Sequence, residues 1–237
     1  MDSELVRRGM AGSRERAREA VLSGRVLVSG SVAEKPARLV DDSEPIHVTG
    51  DLPRYVSRGG LKLEGALDAF VIDVSGMRCL DLGASTGGFT DCLLKAGASE
   101  VVAVDVGRGQ LAWELRNHPS VKSMERTDVR DLDDLGEFGL VTVDLSFISL
   151  RTVMPAVSRL AGRAPVLALV KPQFEVGRAR VGSGGVVRDR SLHDEAVRAV
   201  VEAAAATGLH HHGTKESVLP GAEGNLEYFV LLRRSGS

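Results

Sequence analysis

The chain has 237 residues, 43 % of them hydrophobic and 26 % charged, with a net charge of −2. That length and balance suit one large domain, or a medium and a small one with a real core, and exclude disorder, collagen and coiled coil as the main architecture. No window approaches ~18 uncharged apolar residues, the first residues lack the apolar stretch of a secretory signal, and Cys79 and Cys92 alone make no disulfide framework, so the expected location is a reducing cytoplasm and no membrane partner is expected.

Residues 5–38 hold eight basic and three acidic side chains, after which acids gather and Pro45, Gly50 and Pro53 punctuate the chain. This shift predicts a first domain over 1–50, a linker over 51–57 and a second domain over 58–237. The first domain begins with a short helix over 5–10. A second helix follows over 13–23, with Ser13 as N-cap, Ala17, Ala20, Val21 and Leu22 on its apolar face, and Gly24 at its end. A strand over 25–28, a turn at Ser29-Gly30-Ser31 and a closing strand over 46–48 complete it.

In the second domain, strands over 78–82, 100–105, 121–125, 139–144 and 165–170 alternate with helices over 57–69, 87–96, 109–117, 149–161 and 191–206. The alternation predicts a doubly wound α/β sheet. The last two strands, 213–219 and 226–233, have no helix between them and predict a hairpin that adds an antiparallel edge.

Residues 79–90, CLDLGASTGGFT, carry an apolar strand through a turn of small residues into a helix. Glycine admits a ligand close to the backbone, and a helix start offers free N–H donors. Such a turn alone is equally compatible with tight packing. It lacks the Gly-Lys-Ser/Thr of a phosphate-binding P-loop. Asp81, just before the turn, would repel a pyrophosphate and suits a ligand with an ammonium group, such as the methionine end of S-adenosylmethionine. Gly83, Ala84, Ser85, Thr86, Gly87, Gly88 and Phe89 complete the candidate cofactor turn. Asp105 closes the next strand about 20 residues on, where doubly wound folds grip a ribose diol. Asp128 follows the third strand, where an adenine amino group would be met. A single acid at a strand end is often a helix cap. Three at successive carboxyl ends mark a ligand edge.

Four further residues are unremarkable singly. Lys62 sits beside Leu63, Ala66, Leu67 and Phe70 and reads as a snorkelling lysine. Asp144 after the fourth strand reads as a helix cap, Lys171 after the fifth as a rim residue, and Glu227 opening the last strand as an exposed one. Together, in order and context, they resemble the Lys-Asp-Lys-Glu tetrad of ribose 2′-O-methyltransferases of the FtsJ/RrmJ type. Nearly the whole chain resembles the TlyA (haemolysin A) family, through residues 55–60 (YVSRGG), 81–90, 144–150 (DLSFISL), 170–177 (VKPQFEVG) and 224–229 (GNLEYF). The pattern Leu5, Gly9, Ser13-Arg14, Ala17, Gly24, Val26, Val28 and Gly30 resembles an S4-type RNA-binding domain.

The resemblance implies a Rossmann-like, S-adenosylmethionine-dependent methyltransferase sheet, mostly parallel with an antiparallel last strand, and a small α+β S4-type N-terminal domain. It implies a ribosomal RNA (cytidine-2′-O)-methyltransferase acting on 23S rRNA or the ribosomal subunit, with 16S rRNA as a second candidate. A start at the first helix and a stop after the last strand match the family's shorter, 23S-only type. Lys171 is the expected base, which requires its pKa of ~10.4 to be lowered by burial and by a second cation, Lys62. Asp144 and Glu227 would orient the lysines and the hydroxyl, and Asp144 would also border the cofactor. No metal is expected, and a monomer is the default.

RNA contact is expected from Arg7, Arg8, Arg14 and Arg18, unless Glu15 and Glu19 neutralise that helix face, and from Arg58. Arg178, Arg180 and Arg188 flank a glycine-rich stretch over 177–185 that reads either as a mobile loop over the target nucleotide or as an exposed connector. Phe147 or Phe174 would stack on a flipped base. His210, His211 and His212 alternate faces along a strand, which suits a partly exposed edge better than a metal site. A cytosine-C5 methyltransferase is disfavoured, because Cys79 and Cys92 lie away from where its nucleophile belongs. A membrane-active haemolysin, or a methyltransferase acting on another RNA or a small molecule, is the alternative.

Overall fold

The computed structural model describes residues 1–12, 14–22, 24–50, 53–221 and 223–235; the expected cap Ser13 and the side chains of Glu15 and Glu19 lie outside this set. The chain divides into two compact units, Met1–Val56 and Ser57–Ser237.

In the first unit, α1 (Asp2–Arg7) and α2 (Arg14–Leu22) precede three short strands, β1 (Val26–Val28), β2 (Ser31–Val32) and β3 (Ile46–Val48). They form an antiparallel sheet in the order β2-β1-β3. Leu5, Ala17, Ala20, Val21, Val26, Val28 and Ile46 make its core. The first helix starts and ends earlier than its apolar pattern suggests. Asp2 and Glu4 suit the positive end of the helix dipole, and Gly9 takes a left-handed φ of 69°.

The second unit runs α3 (Arg58–Phe70), β4 (Arg78–Leu82), α4 (Gly88–Lys95), β5 (Glu100–Val104), α5 (Trp113–Arg116), β6 (Val121–Met124) and β7 (Leu140–Val143). It continues with α6 (Leu150–Ala161), β8 (Val166–Val170), α7 (Pro172–Glu175), α8 (Arg190–Ala205), β9 (Leu209–Glu216) and β10 (Tyr228–Arg234). Seven strands form one sheet in the order β6-β5-β4-β7-β8-β10-β9. β7 and β8 are buried throughout, and their Val- and Leu-rich runs are those of a sheet covered on both faces.

The terminal hairpin lies at the edge of the sheet, where its pattern places it. β10 pairs antiparallel with both β8 and β9, so the antiparallel strand lies inside the sheet and β9 is the edge. The crossover through α8 returns β9 in the direction of β8, and the chain comes back over residues 217–227 to set β10 between them. His210, His211 and His212 lie exposed along β9. The helix expected over 109–117 shrinks to one turn, because Gly109 is left-handed and the Ala112 N–H bonds the Thr86 carbonyl. α7, with proline at its first position, was not anticipated. Among the described residues no helix is long and apolar enough to cross a membrane.

β4 stands where the strand order reverses, with β5 on one side and β7 on the other, and ligands bind doubly wound sheets at that switch point. The Asp144 N–H bonds the Leu82 carbonyl at 2.8 Å. Gly83 follows with a φ of 90°, and a Cβ there would lie 2.3 Å from the Asp144 carbonyl oxygen. Only glycine lets the turn after β4 lie this close to the end of β7.

Candidate active site

A cleft of about 410 Å³ opens at the carboxyl ends of β4, β5 and β7. Gly83 and Ser85 of the turn border it, with Asp105, Asp128 and Asp144. Val106, Val129 and Ile148 give it apolar walls. The Asp105 carboxylate accepts the Ser85 N–H at 2.8 Å through Oδ2 and the Gly107 N–H at 2.6 Å through Oδ1. Two lone-pair directions of that carboxylate remain for a ligand. Asp128 caps the one-turn 3-10 helix Val129–Asp131 and pairs with Arg130 at 2.6 Å. The Arg130 guanidinium and main-chain N–H hold its carboxyl down at about 2. Gln110 also borders the cleft and accepts from Ser85 Oγ at 3.3 Å, a contribution the sequence pattern does not reveal.

Asp81 is placed differently from its expected role. It is 0 % exposed and does not border the cleft. Its Oδ2 accepts the Thr90 hydroxyl at 2.6 Å and its Oδ1 the Thr142 hydroxyl at 3.0 Å. Burial pushes this carboxyl up to about 6, against the pull of those hydroxyls. Asp81 therefore braces the glycine turn from beneath. Thr142, a lone hydroxyl inside an otherwise apolar buried strand, was the available signal. Phe89 is likewise internal and stacks on Phe229 with centroids 6.0 Å apart. Ala84, Thr86, Gly87 and Gly88 shape the turn without bordering the cleft.

The four tetrad residues form two ion pairs. Lys62 Nζ lies 2.6 Å from Glu227 Oε2, and Lys171 Nζ 2.6 Å from Asp144 Oδ1. The second contact falls outside hydrogen-bond angles, and among the described residues Asp144 Oδ1 accepts no hydrogen bond. Lys171 instead donates to Ser146 Oγ at 2.9 Å. Tyr228 pairs with Val170, which sets Glu227 beside Lys171 one step beyond the ladder. Asp144 follows the neighbouring strand β7. Three members thus share adjacent strand ends, and Lys62 reaches them from α3. Both lysine side chains are 11 % exposed.

Sequence reasoning missed Glu175. It is buried, accepts the Leu150 N–H at 2.7 Å and the Ser149 hydroxyl, and lies 3.5 Å from Arg151. Burial pushes its carboxyl up. It fastens the segment after Lys171 to the helix start after Asp144, and so holds the two residues in register. Phe147, in the cleft wall, is 92 % exposed with a left-handed φ of 66° and meets Phe174 at 5.5 Å between centroids. An exposed aromatic in a costly backbone conformation makes this segment a candidate for ligand contact.

The expected RNA-contacting arginines divide into two groups. Arg8 is turned inward, spending its guanidinium on Glu4 and on the carbonyls of Asp41, Asp42 and Glu44, which makes it a brace for that loop. Arg7 pairs with Glu4 and Asp42, Arg14 with Asp2 at 3.0 Å, and Arg58 donates to the Pro220 carbonyl at 3.2 Å. Arg180 pairs with Glu195 at 2.7 Å. Arg18, Arg178 and Arg188 are exposed.

The FtsJ-like methyltransferase profile matches residues 55–234, and the S4 domain profile residues 2–46. A Mycobacterium tuberculosis protein named 16S/23S rRNA (cytidine-2′-O)-methyltransferase TlyA is 54 % identical, over 98 % of this chain and 89 % of its own. A Campylobacter jejuni protein named 23S rRNA (cytidine-2′-O)-methyltransferase TlyA is 39 % identical, over 74 % of this chain and 69 % of its own. Among solved structures, a chain from Streptococcus thermophilus, named provisionally as a hemolysin, superposes with a TM-score of 0.78 at 40 % identity, covering 100 % of this chain and 88 % of that one. An S-adenosylmethionine-dependent methyltransferase from Mesorhizobium loti shares the fold, with a TM-score of 0.54 at 18 % identity over 73 % of this chain and 98 % of its own.

Proposed function

The chain belongs to the FtsJ-like methyltransferase family and, within it, to the TlyA family, and from that premise we propose that it methylates the ribose 2′-hydroxyl of a cytidine in 23S ribosomal RNA. The observation that carries this reading is the placement of two lysine–carboxylate pairs at neighbouring strand ends, next to a cleft bordered by three acids. Both relatives named above have 23S in their names, and one also has 16S. These names support 23S rRNA or the large subunit as the substrate in this reading, with the small subunit as the arm of the test that separates the two specificities. The expected setting is the cytoplasm, where ribosomes are assembled.

The cleft suits S-adenosylmethionine: carboxylates stand where a ribose diol and an ammonium need acceptors, between apolar walls. Asp105 would take the ribose, the Asp128 end the adenine, and Asp144 with the Gly83–Ser85 backbone the methionine end. Asp81 supports that turn without touching the ligand. Bound there, the cofactor supplies a methyl group already activated on a sulfonium.

The chain's own residues do the rest. A 2′-hydroxyl attacks only as its proton is drawn away. Lys171, held by Asp144 and Ser146, takes that proton as the carbon–oxygen bond forms and the carbon–sulfur bond breaks. Lys62 and Glu227, locked together beside Lys171, orient the hydroxyl. Placing the hydroxyl against the methyl donor lowers the barrier by removing the entropy of encounter. Phe147 stacks on the target base, and Arg14, Arg18, Arg178 and Arg188 contact phosphates.

The test is transfer of labelled methyl from S-adenosylmethionine to unmodified large and small subunits, separately, with the product nucleoside identified. Label recovered as 2′-O-methylcytidine from large-subunit RNA supports the proposal. Cofactor binding without label on either subunit overturns it in favour of another RNA or a small molecule.

A further inference from the structure

Two buried polar side chains outside the tetrad converge on a single residue. Asn225, two positions before Glu227, is 1 % exposed. Its Oδ1 accepts the Val187 N–H at 2.9 Å, and its Nδ2 donates to the Gly185 carbonyl at 2.9 Å. His193, on α8, is also buried. Its Nε2 lies 2.8 Å from the Val187 carbonyl, and its Nδ1 lies 2.9 Å from the Tyr228 hydroxyl. A carbonyl only accepts, so Nε2 donates to Val187, while Nδ1 and the Tyr228 hydroxyl share one hydrogen bond.

Both main-chain polar groups of Val187 are thus held by buried side chains from two different elements. Val187 itself is packed into the core. The circuit closes on Tyr228, the residue after Glu227. Glu227 is tied to the same knot: the Gly221 N–H bonds the Asn225 carbonyl at 2.8 Å, and a Cβ on Gly221 would come within 2.5 Å of Glu227 Oε1. A buried hydrogen-bond network of this kind stiffens what it joins. What it joins here is the end of the glycine-rich, arginine-bearing loop and the strand end that carries Glu227. The sequence pattern left that loop open as a mobile loop over the target nucleotide or an exposed connector; its end at Gly185 and Val187 is hydrogen-bonded to Asn225 and His193.

We propose that Asn225 and His193 are positioning residues that lock the root of the Arg178–Arg188 loop to the Glu227 strand end. Arg188, next to Val187, then meets the RNA backbone at a fixed spacing from the Lys62–Glu227 pair. The kinetic consequence rests on the methyltransferase reading above; the lock itself does not.

The test compares wild type with Asn225→Ala and Tyr228→Phe in the full chain, the latter removing only the hydroxyl that holds His193. Hydrogen exchange of peptides spanning 180–189 reads the lock directly, and exchange about tenfold faster in both variants is expected. The KM for large-subunit RNA should rise about fivefold, the loss of one well-placed phosphate contact, with kcat and S-adenosylmethionine affinity unchanged. A merely structural role would lower the melting temperature and leave KM alone, which overturns the positioning role. Unchanged exchange in 180–189 overturns the lock. If Asn225→Ala does not fold, Tyr228→Phe and His193→Gln carry the comparison. If wild type methylates no ribosomal RNA, the functional reading fails, while the exchange result still decides whether the lock exists.

Discussion

Lys62 and Glu227 are 165 positions apart in the chain, yet Nζ and Oε2 meet at 2.6 Å in a nearly dry setting. The pair joins a helix at the start of the methyltransferase unit to a strand at its end. Burying two charges costs several kcal/mol each, and the loss of one partner leaves the other uncompensated.

Glu227→Ala should therefore destabilise the chain by about 3 kcal/mol, read as a shift in urea unfolding. Replacing the pair together, Lys62→Met with Glu227→Leu, should recover most of that stability while methyl transfer stays lost. Recovery of both would show the pair to be structural.

Asp81 gives the fold a pH signature. Its carboxyl is raised from 3.8 to about 6 in the folded state. A raised pKa means that folding favours the protonated form. Its contribution is complete below the unfolded value and is lost as pH rises through about 6. Relative to Asp81→Asn, the wild type should lose on the order of 3 kcal/mol between acid and neutral pH. Urea midpoints of both proteins across that window check it, and parallel curves would contradict it.

Phe147 separates stability from function. Its left-handed backbone costs about 1 kcal/mol in a residue with a side chain. Phe147→Gly should gain that amount in thermal unfolding. It should also lower kcat/KM for RNA about tenfold, because base stacking is worth ~1–3 kcal/mol. A gain in stability with unchanged kcat/KM would remove Phe147 from base recognition.

The arginines should sort by salt dependence. Arg18→Ala and Arg188→Ala should each reduce the slope of log affinity against log salt by roughly 0.7–0.9, the signature of one lost phosphate contact. Arg8→Ala should lower the melting temperature and leave the slope alone, since Arg8 spends its donors on Glu4 and on loop carbonyls.

The parallel strands were legible because their Val- and Leu-rich runs are bounded by turns, whereas the four tetrad residues, unremarkable singly, stood out only through a family resemblance. Long-range hydrogen bonding was not legible. Only the lone hydroxyl of Thr142 hints at Asp81's partners, and nothing local says that Glu175 will accept from the helix start after Asp144 or that His193 will reach Val187 and Tyr228. The shortened α5 has the same cause, an Ala112 N–H diverted to Thr86. The hairpin was legible as a hairpin at the sheet edge, but the place of β10 between β8 and β9 depends on how α8 returns the chain.

The central claim, that Lys171 takes the proton of the ribose hydroxyl, is tested most directly by single-turnover methyl transfer to large-subunit RNA. Wild type and Lys171→Ala are compared at saturating cofactor, with S-adenosylmethionine affinity measured on the same samples. The account predicts a rate at least about 100-fold lower in the variant, with cofactor affinity retained, as befits the loss of a general base. A rate within about tenfold of wild type, less than general-base loss costs, would contradict it and return Lys171 to a structural partner of Asp144.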